Sequence, residues 1–167
     1  MTSIIKVDQI QNAAGGVPTA ADLGLNVSGT VLNVGQYETN STYDNTSSAW
    51  TTMWAPTYTP VKTSSIIIVN MKFNLRAYRN GGADGRAGYR VLVNGSEYCS
   101  APYIGCYDYG GHGIWIAQTH SENLLLSNTT GATYTITLQT STQNLCTAVN
   151  FNEASSKSSI VFTEIAG

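Results

Sequence analysis

Apolar and polar positions alternate with a period of two over long parts of this chain. The clearest case is IIIVNMKFNLRAYR, residues 66–79, where every odd position from Ile67 to Ala77 is apolar. The even positions from Asn70 onward are polar, charged or tyrosine. Because successive side chains of a strand point to opposite faces, this segment is predicted to be a long strand with one buried side.

Six shorter segments also have the composition of strands. They are residues 30–37, 89–98, 113–118, 124–140 (interrupted by a turn), 145–151 and 158–167. The Asn94-Gly95 pair predicts a tight β-hairpin, because both residues readily adopt the left-handed backbone of such turns. We expect Leu145, Val149 and Phe151 to share one buried side.

The segments between these strands are rich in polar residues and glycine. Residues 38–48, 80–88 and 98–112 are predicted to be loops. Residues 50–60 are predicted to be extended, and Pro56 and Pro60 exclude them from a central strand position. If this segment is extended, Trp50 and Trp54 lie on the same side of it.

About eight strands and no helix of three turns predict an all-β fold. Turns at this spacing are typical of an antiparallel β-sandwich, and we expect the jelly-roll type. The predicted sandwich domain covers residues 29–167, and residues 1–28 are predicted to be a separate, extended N-terminal arm.

The arm SIIKVDQIQNAAGGVPTAADLGLN has too few apolar residues to fold alone. It starts like a short strand, turns at a glycine pair and continues as one helical turn, which is unstable in water without partners. We therefore expect the arm to be ordered only against another surface. Its candidate anchors are Ile4, Ile5, Val7 and Ile10.

The composition argues against several classes of partner. Charged residues make up 11% of the chain and the net charge is -2, so there is no basic footprint for nucleic acid or an anionic membrane. No apolar run approaches the roughly 20 residues that cross a bilayer, and no secretory signal is recognisable. We expect a cytoplasmic protein, or one released by lysis as part of a particle, with neither nucleic-acid binding nor membrane insertion.

The sequence offers no catalytic or metal-binding grouping. His112 and His120 lack the partners of a catalytic triad, and their spacing from the cysteines is not that of a zinc site. The ten acidic residues are scattered, and nothing in their spacing favours the facing pair of a glycoside hydrolase. We expect no cofactor, no metal and no catalytic residue. Cys99, Cys106 and Cys146 are expected to be reduced, although a Cys99–Cys106 bridge is geometrically conceivable.

A set of mostly aromatic residues falls in or beside the predicted loops 78–88 and 98–112. Such side chains combine apolar area with a polar tip, which suits sugar rings or protein partners, or the packing of loops onto the sandwich. The candidate contact residues for a host surface or partner are Tyr78, Arg79, Asp84, Tyr103, Tyr107, Tyr109 and His112.

The phrases IKVDQIQ and PTAADLG, with the glycine pair between them, resemble the N-terminal leader of structural proteins from tailed bacteriophages, especially marine and cyanobacterial phages. The body, from TVLNVGQY to SSIVFTEIAG, resembles the trimeric tumour-necrosis-factor-like jelly rolls of phage fibre tips and capsid-decorating proteins. The resemblance implies a homotrimeric virion surface protein, assembled in the host cytoplasm and released by lysis. Its arm would attach it to other capsid or tail proteins.

Three functions remain as hypotheses. The first is a non-enzymatic virion protein that projects a jelly-roll knob, either as a short tail fibre or as a capsid decoration, and that contacts a host-surface glycan or protein. The second is a stand-alone carbohydrate-binding module of lectin type. The third is an enzyme such as a capsule depolymerase.

Overall fold

The computed structural model describes residues 28–79, 85–106, 114–153 and 156–167, without the side chains of 102–106, 114 and 115. These residues form eleven β-strands and no α-helix. The strands are β1 (Val31–Thr39), β2 (Tyr43–Asn45), β3 (Thr51–Trp54), β4 (Thr57–Tyr58), β5 (Ser65–Arg79), β6 (Gly85–Val93), β7 (Ser96–Cys106), β8 (Ile114–Asn128), β9 (Tyr134–Gln143), β10 (Ala148–Phe151) and β11 (Ser158–Ala166). The described part of the chain contains no helix long and apolar enough to span a membrane.

The first sheet is built around β5, the long strand predicted from the alternating pattern. β8 pairs antiparallel with β5 along its whole length. The other edge of β5 is shared: β11 pairs with its first half and β10 with its second half. β1 extends the sheet beyond β11, and β2 extends it beyond β10.

The second sheet has the order β7-β6-β9, and β3 and β4 pair with successive parts of the outer edge of β9. The chain crosses repeatedly between the two sheets, so most neighbouring strands are distant in sequence, and the β6–β7 hairpin is the exception. All strand pairings are antiparallel. The prediction of an all-β chain with two antiparallel sheets is therefore confirmed.

The core lies between the sheets and receives the predicted apolar side of β5. Ile67, Val69 and Phe73 have no exposed surface, and they join one cluster with Val91 and Leu138 of the second sheet. Burying a side chain of this size stabilises the fold by about 1.5–3 kcal/mol.

An aromatic pair closes the core on the β1 side. Tyr58 stacks on Phe162 with ring centroids 4.8 Å apart, and its ring also lies against the backbone of Gly35. A Cβ at Gly35 would stand 3.0 Å from the Tyr58 ring, which is too close without a shift. Glycine in β1 therefore permits the tyrosine to reach the core.

Two segments predicted to be loops contain long strand pairing. β6 begins at Gly85, within predicted loop 80–88, and β7 continues to Cys106, within predicted loop 98–112. Gly85 pairs with Cys106, so the Asn94-Gly95 hairpin is much longer than its apolar pattern indicated. Register shifts along the pair accommodate glycine-rich sequence in which alternation is lost. Predicted loop 38–48 likewise contains β2.

The expected burial of Leu145 is wrong, because this side chain is 62% exposed. Asn144 and Leu145 both have positive φ, of 33° and 67°, and this turn directs the leucine outward. Val149 and Phe151 are fully buried, as predicted.

The expectation that Trp50 and Trp54 lie on the same side of their segment is also wrong. Trp54 packs near Phe151 at the core, whereas Trp50 lies over the Arg90 guanidinium. A register irregularity between Thr52 and Trp54 breaks the extended geometry on which the same-side expectation depended.

Candidate functional site

Three of the predicted contact residues lie in described strands rather than in loops. Tyr78 and Arg79 are the last two residues of β5, and Tyr103 lies in β7. Arg79 is only 6% exposed, so its side chain belongs to the interior. The others lie outside the described residues, and their roles stay predictions: Asp84, Tyr107, Tyr109, His112 and the arm residues Ile4, Ile5, Val7 and Ile10.

The outer face of the first sheet carries a group of apolar side chains that we call the apolar patch. Its members come from the four adjacent strands β1, β11, β5 and β8: they are Val31, Val34, Ile66, Ile68, Leu125 and Ile165. Ile66 lies opposite Ile165, and Ile68 lies opposite Leu125, so the members are cross-strand neighbours.

Several members of the apolar patch are strongly exposed. Leu125 is 63% exposed, Val34 57% and Val31 54%. The Leu125 N–H donates to the Tyr98 hydroxyl at 3.2 Å, which brings a further exposed ring beside the patch. Scattered apolar residues are common on protein surfaces, whereas a group that spans four adjacent strands makes this face a candidate interaction surface. The alternating pattern was recognised only from Asn70 onward, where the outer positions of β5 are polar. Ile66 and Ile68 are the outer positions that depart from it, and the apolar patch was therefore not predicted.

The other half of the same outer face is polar and concave. A pocket of about 230 Å³ lies there, lined in part by Asn74, Arg76, Gln118, Thr119, Glu153 and Ser156. Arg76 Nη1 lies 2.5 Å from Glu153 Oε2. The Thr119 hydroxyl donates to Asn74 Oδ1 at 2.7 Å.

The pocket lies where the pairing partner of β5 changes from β11 to β10. β11 leaves β5 at Lys72 and β10 joins it at Leu75, so Asn74 stands at the fork between these two strands. The Asn74 side-chain amide donates to the Lys157 carbonyl at 2.7 Å, and its backbone carbonyl accepts from the Asn152 N–H at 3.2 Å. The turn after β10 is thereby held over the outer face, where it supplies Glu153 and Ser156.

A second group of polar residues lies between the sheets, where β7 and β8 run at their edges. Tyr89 donates to Glu122 Oε1 at 2.5 Å, and the His120 ring stacks on Phe73 with centroids 5.5 Å apart. The sequence pattern carries a signal for this group, because His120 and Glu122 occupy the same alternate positions as the buried Leu124 and Leu126. We name Tyr89, Cys99, His120 and Glu122 the edge cluster.

The edge cluster favours the neutral forms of Cys99 and His120 through shifts in their pKa values. Burial and the neighbouring Glu122 carboxylate raise the pKa of the Cys99 thiol to about 11. Burial lowers the pKa of His120, although Glu122 opposes this effect. A nucleophilic cysteine needs a thiolate, and this environment disfavours one at neutral pH. Cys99 and Cys146 are both free thiols.

One carboxylate is completely buried, and it joins the loop before β5 to β11. Glu164 accepts hydrogen bonds from the Tyr58 hydroxyl, the Ser65 hydroxyl and the backbone N–H groups of Val61 and Lys62, at 2.8–3.1 Å. Burial by itself raises the pKa of this carboxyl, but the four hydrogen bonds together lower it below its ordinary value. With all its partners in place, Glu164 is a structural residue.

Within the described ranges, no three His, Cys, Asp or Glu side chains are grouped so that they could hold a metal ion. The chain matches no protein family, and no curated protein is significantly similar to it. The geometry of the apolar patch and the pocket therefore carries the functional argument.

Proposed function

We propose that this chain is a non-enzymatic, homotrimeric surface protein of a tailed-phage virion. Its N-terminal arm fastens it to capsid or tail proteins, and its jelly-roll knob projects outward as a short tail fibre or a capsid decoration. The observation that carries the proposal is the apolar patch. A single copy leaves these side chains in water, whereas association of copies through this face removes them from it.

The strand pairing supports the jelly-roll part of the proposal. In a jelly roll of eight strands, the first strand pairs with the last, the second with the seventh, the third with the sixth and the fourth with the fifth. With β3 and β4 taken as one strand and the short β2 and β10 set aside, the pairs are β1–β11, β3/β4–β9, β5–β8 and β6–β7. These pairs follow the order expected of a jelly roll, which supports this part of the proposal.

The composition supports attachment to a larger assembly. Only 11% of the residues are charged, which suits a body whose flanks are covered by neighbouring subunits. Among the described residues, the core is built from positions after 50, and in this proposal the arm is a separate segment that attaches the body. A detachable arm on a self-sufficient body is what an anchoring segment requires.

Deletion of residues 1–25 tests the proposed role of the arm. We expect the truncated chain to keep the far-ultraviolet circular dichroism and solution mass of the full chain, yet to be missing from purified particles. Electron microscopy of particles carrying the labelled full chain then distinguishes the capsid lattice from the tail. Normal incorporation of the truncated chain would contradict the anchoring role.

A stand-alone carbohydrate-binding module is the second candidate, and the polar pocket beside Arg76 favours it. That candidate predicts a monomer whose affinity for sugar survives loss of the arm. A solution mass of one chain together with retained sugar binding would favour it over the virion protein.

A further inference from the structure

The pocket beside Arg76 presents the chemistry of a binding site for a hydroxyl-rich ligand. Its lining combines the Asn74 amide with two hydroxyls, Thr119 and Ser156, and with the Arg76–Glu153 pair. Amide and hydroxyl groups both donate and accept, so they match sugar hydroxyls, which do the same. At about 230 Å³ the pocket is smaller than the roughly 300–1,000 Å³ of sites for drug-sized ligands, which suits a single sugar ring.

The charged pair is held in place before any ligand arrives. The Arg76 and Glu153 side chains are 29% and 34% exposed, so the pair is partly shielded while still reaching the pocket. Thr119 and Lys157 fix Asn74 beside it through hydrogen bonds of 2.7 Å. A preorganised set of donors and acceptors loses little conformational entropy on binding.

The charge balance of the pocket favours an uncharged ligand. Arg76 and Glu153 neutralise each other, and the remaining polar side chains of the lining are uncharged. An anionic sugar would need an unbalanced cation, as arginine clusters provide for phosphate groups. The Ser156 hydroxyl is buried and has no hydrogen-bond partner among the described residues, which leaves it suited to a ligand hydroxyl.

An aromatic ring stands next to the pocket on the same face. Tyr78 follows Arg76 by two residues in β5, which places their side chains about 6.6 Å apart along one side of the strand. Sugar rings present an apolar face as well as hydroxyls, and a tyrosine ring provides a surface for that face. We propose that this pocket, with Tyr78 at its rim, binds one residue of a neutral glycan. The inference rests on the proposed function and identifies the receptor chemistry of the knob.

Ligand binding and subunit association use different halves of the sheet. Arg76 follows Ile68 of the apolar patch by eight residues along β5, or about 26 Å of strand. A subunit seated on the apolar patch therefore leaves room for a ligand at the other end. The two sites are separable by mutation.

The test uses the full chain and an immobilised array of neutral and acidic oligosaccharides. We expect binding to neutral oligosaccharides, followed by micromolar to millimolar affinity for the best of them in isothermal titration. Glu153→Gln and Thr119→Val should each raise its Kd, by at least tenfold for Glu153→Gln because a charged hydrogen-bond partner is lost. Thr119 is exposed, so the second variant keeps the test informative if the first folds poorly.

Lys72→Met is the matched control, because Lys72 lies on the same outer face and outside the pocket lining. Its affinity should equal that of the unmodified chain. The inference is overturned if no neutral oligosaccharide binds, if acidic oligosaccharides are preferred, or if the pocket variants bind as tightly as the control.

The failure of this inference is distinguishable from the failure of the proposed function. Solution mass and incorporation into particles are measured without any sugar. A trimer that joins particles but binds no neutral glycan overturns the pocket assignment alone. A monomer that binds the sugar through the pocket overturns the virion role and leaves the pocket assignment standing.

Discussion

Glu164 and His120 show how a single polar residue at an alternating inward position affects the interior of this sandwich. Glu164 is charged and fully buried, and four donors compensate for its loss of water. His120 is partly buried, and its Nε2 has no hydrogen-bond partner among the described residues. The hydrogen bonds around Glu164 therefore favour its charged form, whereas burial of His120 favours its neutral form.

The lowered pKa of His120 predicts that the protein loses stability in mild acid. The unfolded chain takes up this proton at about pH 6.5, before the folded protein does. Stability is therefore fully present above that pH and is lost as the pH falls from it towards the folded-state pKa, by at most about 1.4 kcal/mol per pH unit. Urea unfolding of the unmodified chain and of His120→Gln at pH 7.5 and 5.5 measures the loss.

His120→Gln should have a smaller difference between the two pH values than the unmodified chain, because it removes the titrating group and keeps a polar side chain. Tyr89 and Glu122 face His120 and are present in both proteins, so the comparison isolates the imidazole together with its interaction with Glu122. Equal pH dependence in the two proteins would show that His120 does not titrate differently on folding.

At the residue scale, the sequence indicates which positions point inward but not how polar side chains there find partners. Glu164 follows Ile160 and Phe162 at alternate positions, so its inward direction is readable. Its donors at positions 58–65 lie about 100 residues earlier, and only the folded structure brings them together. The exposure of Leu145 could not be predicted from the pattern either. A left-handed turn directs outward a side chain that the pattern assigns to the core.

For the β6–β7 hairpin, the sequence predicted the turn correctly but not how far the two strands continue to pair. Asn94 and Gly95 have φ values of 49° and 84°, as a two-residue turn of this kind requires. Asn94 Oδ1 also accepts from the Thr135 N–H at 2.7 Å, so the turn is connected to β9. The far end was missed, because pairing imposed by a neighbouring strand overrides the local signals of glycine and proline.

Gly95→Ala should destabilise the protein by about 1–2 kcal/mol, because an alanine at this positive φ is strained. A Cβ at this position has no heavy atom within 4 Å, so the cost comes from the backbone alone. Chemical denaturation measures it, and Ser96→Ala at the next exposed position is the control with an expected change near zero. If Gly95→Ala were neutral, the left-handed turn would not be required for the hairpin.

At the scale of the whole molecule, the sequence predicted the all-β class and the buried side of β5, since both depend on local periodicity. It did not predict the pairing of β5 with β8, β10 and β11, which depends on contacts distant in the chain. The apolar patch and the Arg76 pocket both arise from that pairing. Of the proposed contact residues whose side chains the structure describes, Arg79 is buried and Tyr78 lies beside the pocket.

The central claim is that copies of this chain associate through the outer face of the first sheet. Leu125, in the apolar patch, is 63% exposed, and Leu145, far from it in the turn before β10, is 62% exposed. The two leucines thus form a pair for comparison, alike in residue type and exposure, one in the apolar patch and the other in a turn away from it. A lysine at a buried subunit contact leaves a charge without a partner, whereas a lysine on a free surface costs little.

The decisive measurement is the solution mass of the unmodified chain, Leu125→Lys and Leu145→Lys by sedimentation equilibrium. We predict about three times the 17.8 kDa of one chain for the unmodified protein and for Leu145→Lys, and a shift towards one chain for Leu125→Lys. An unmodified protein that sediments as a single chain, or a Leu125→Lys variant that remains fully associated, would contradict the account.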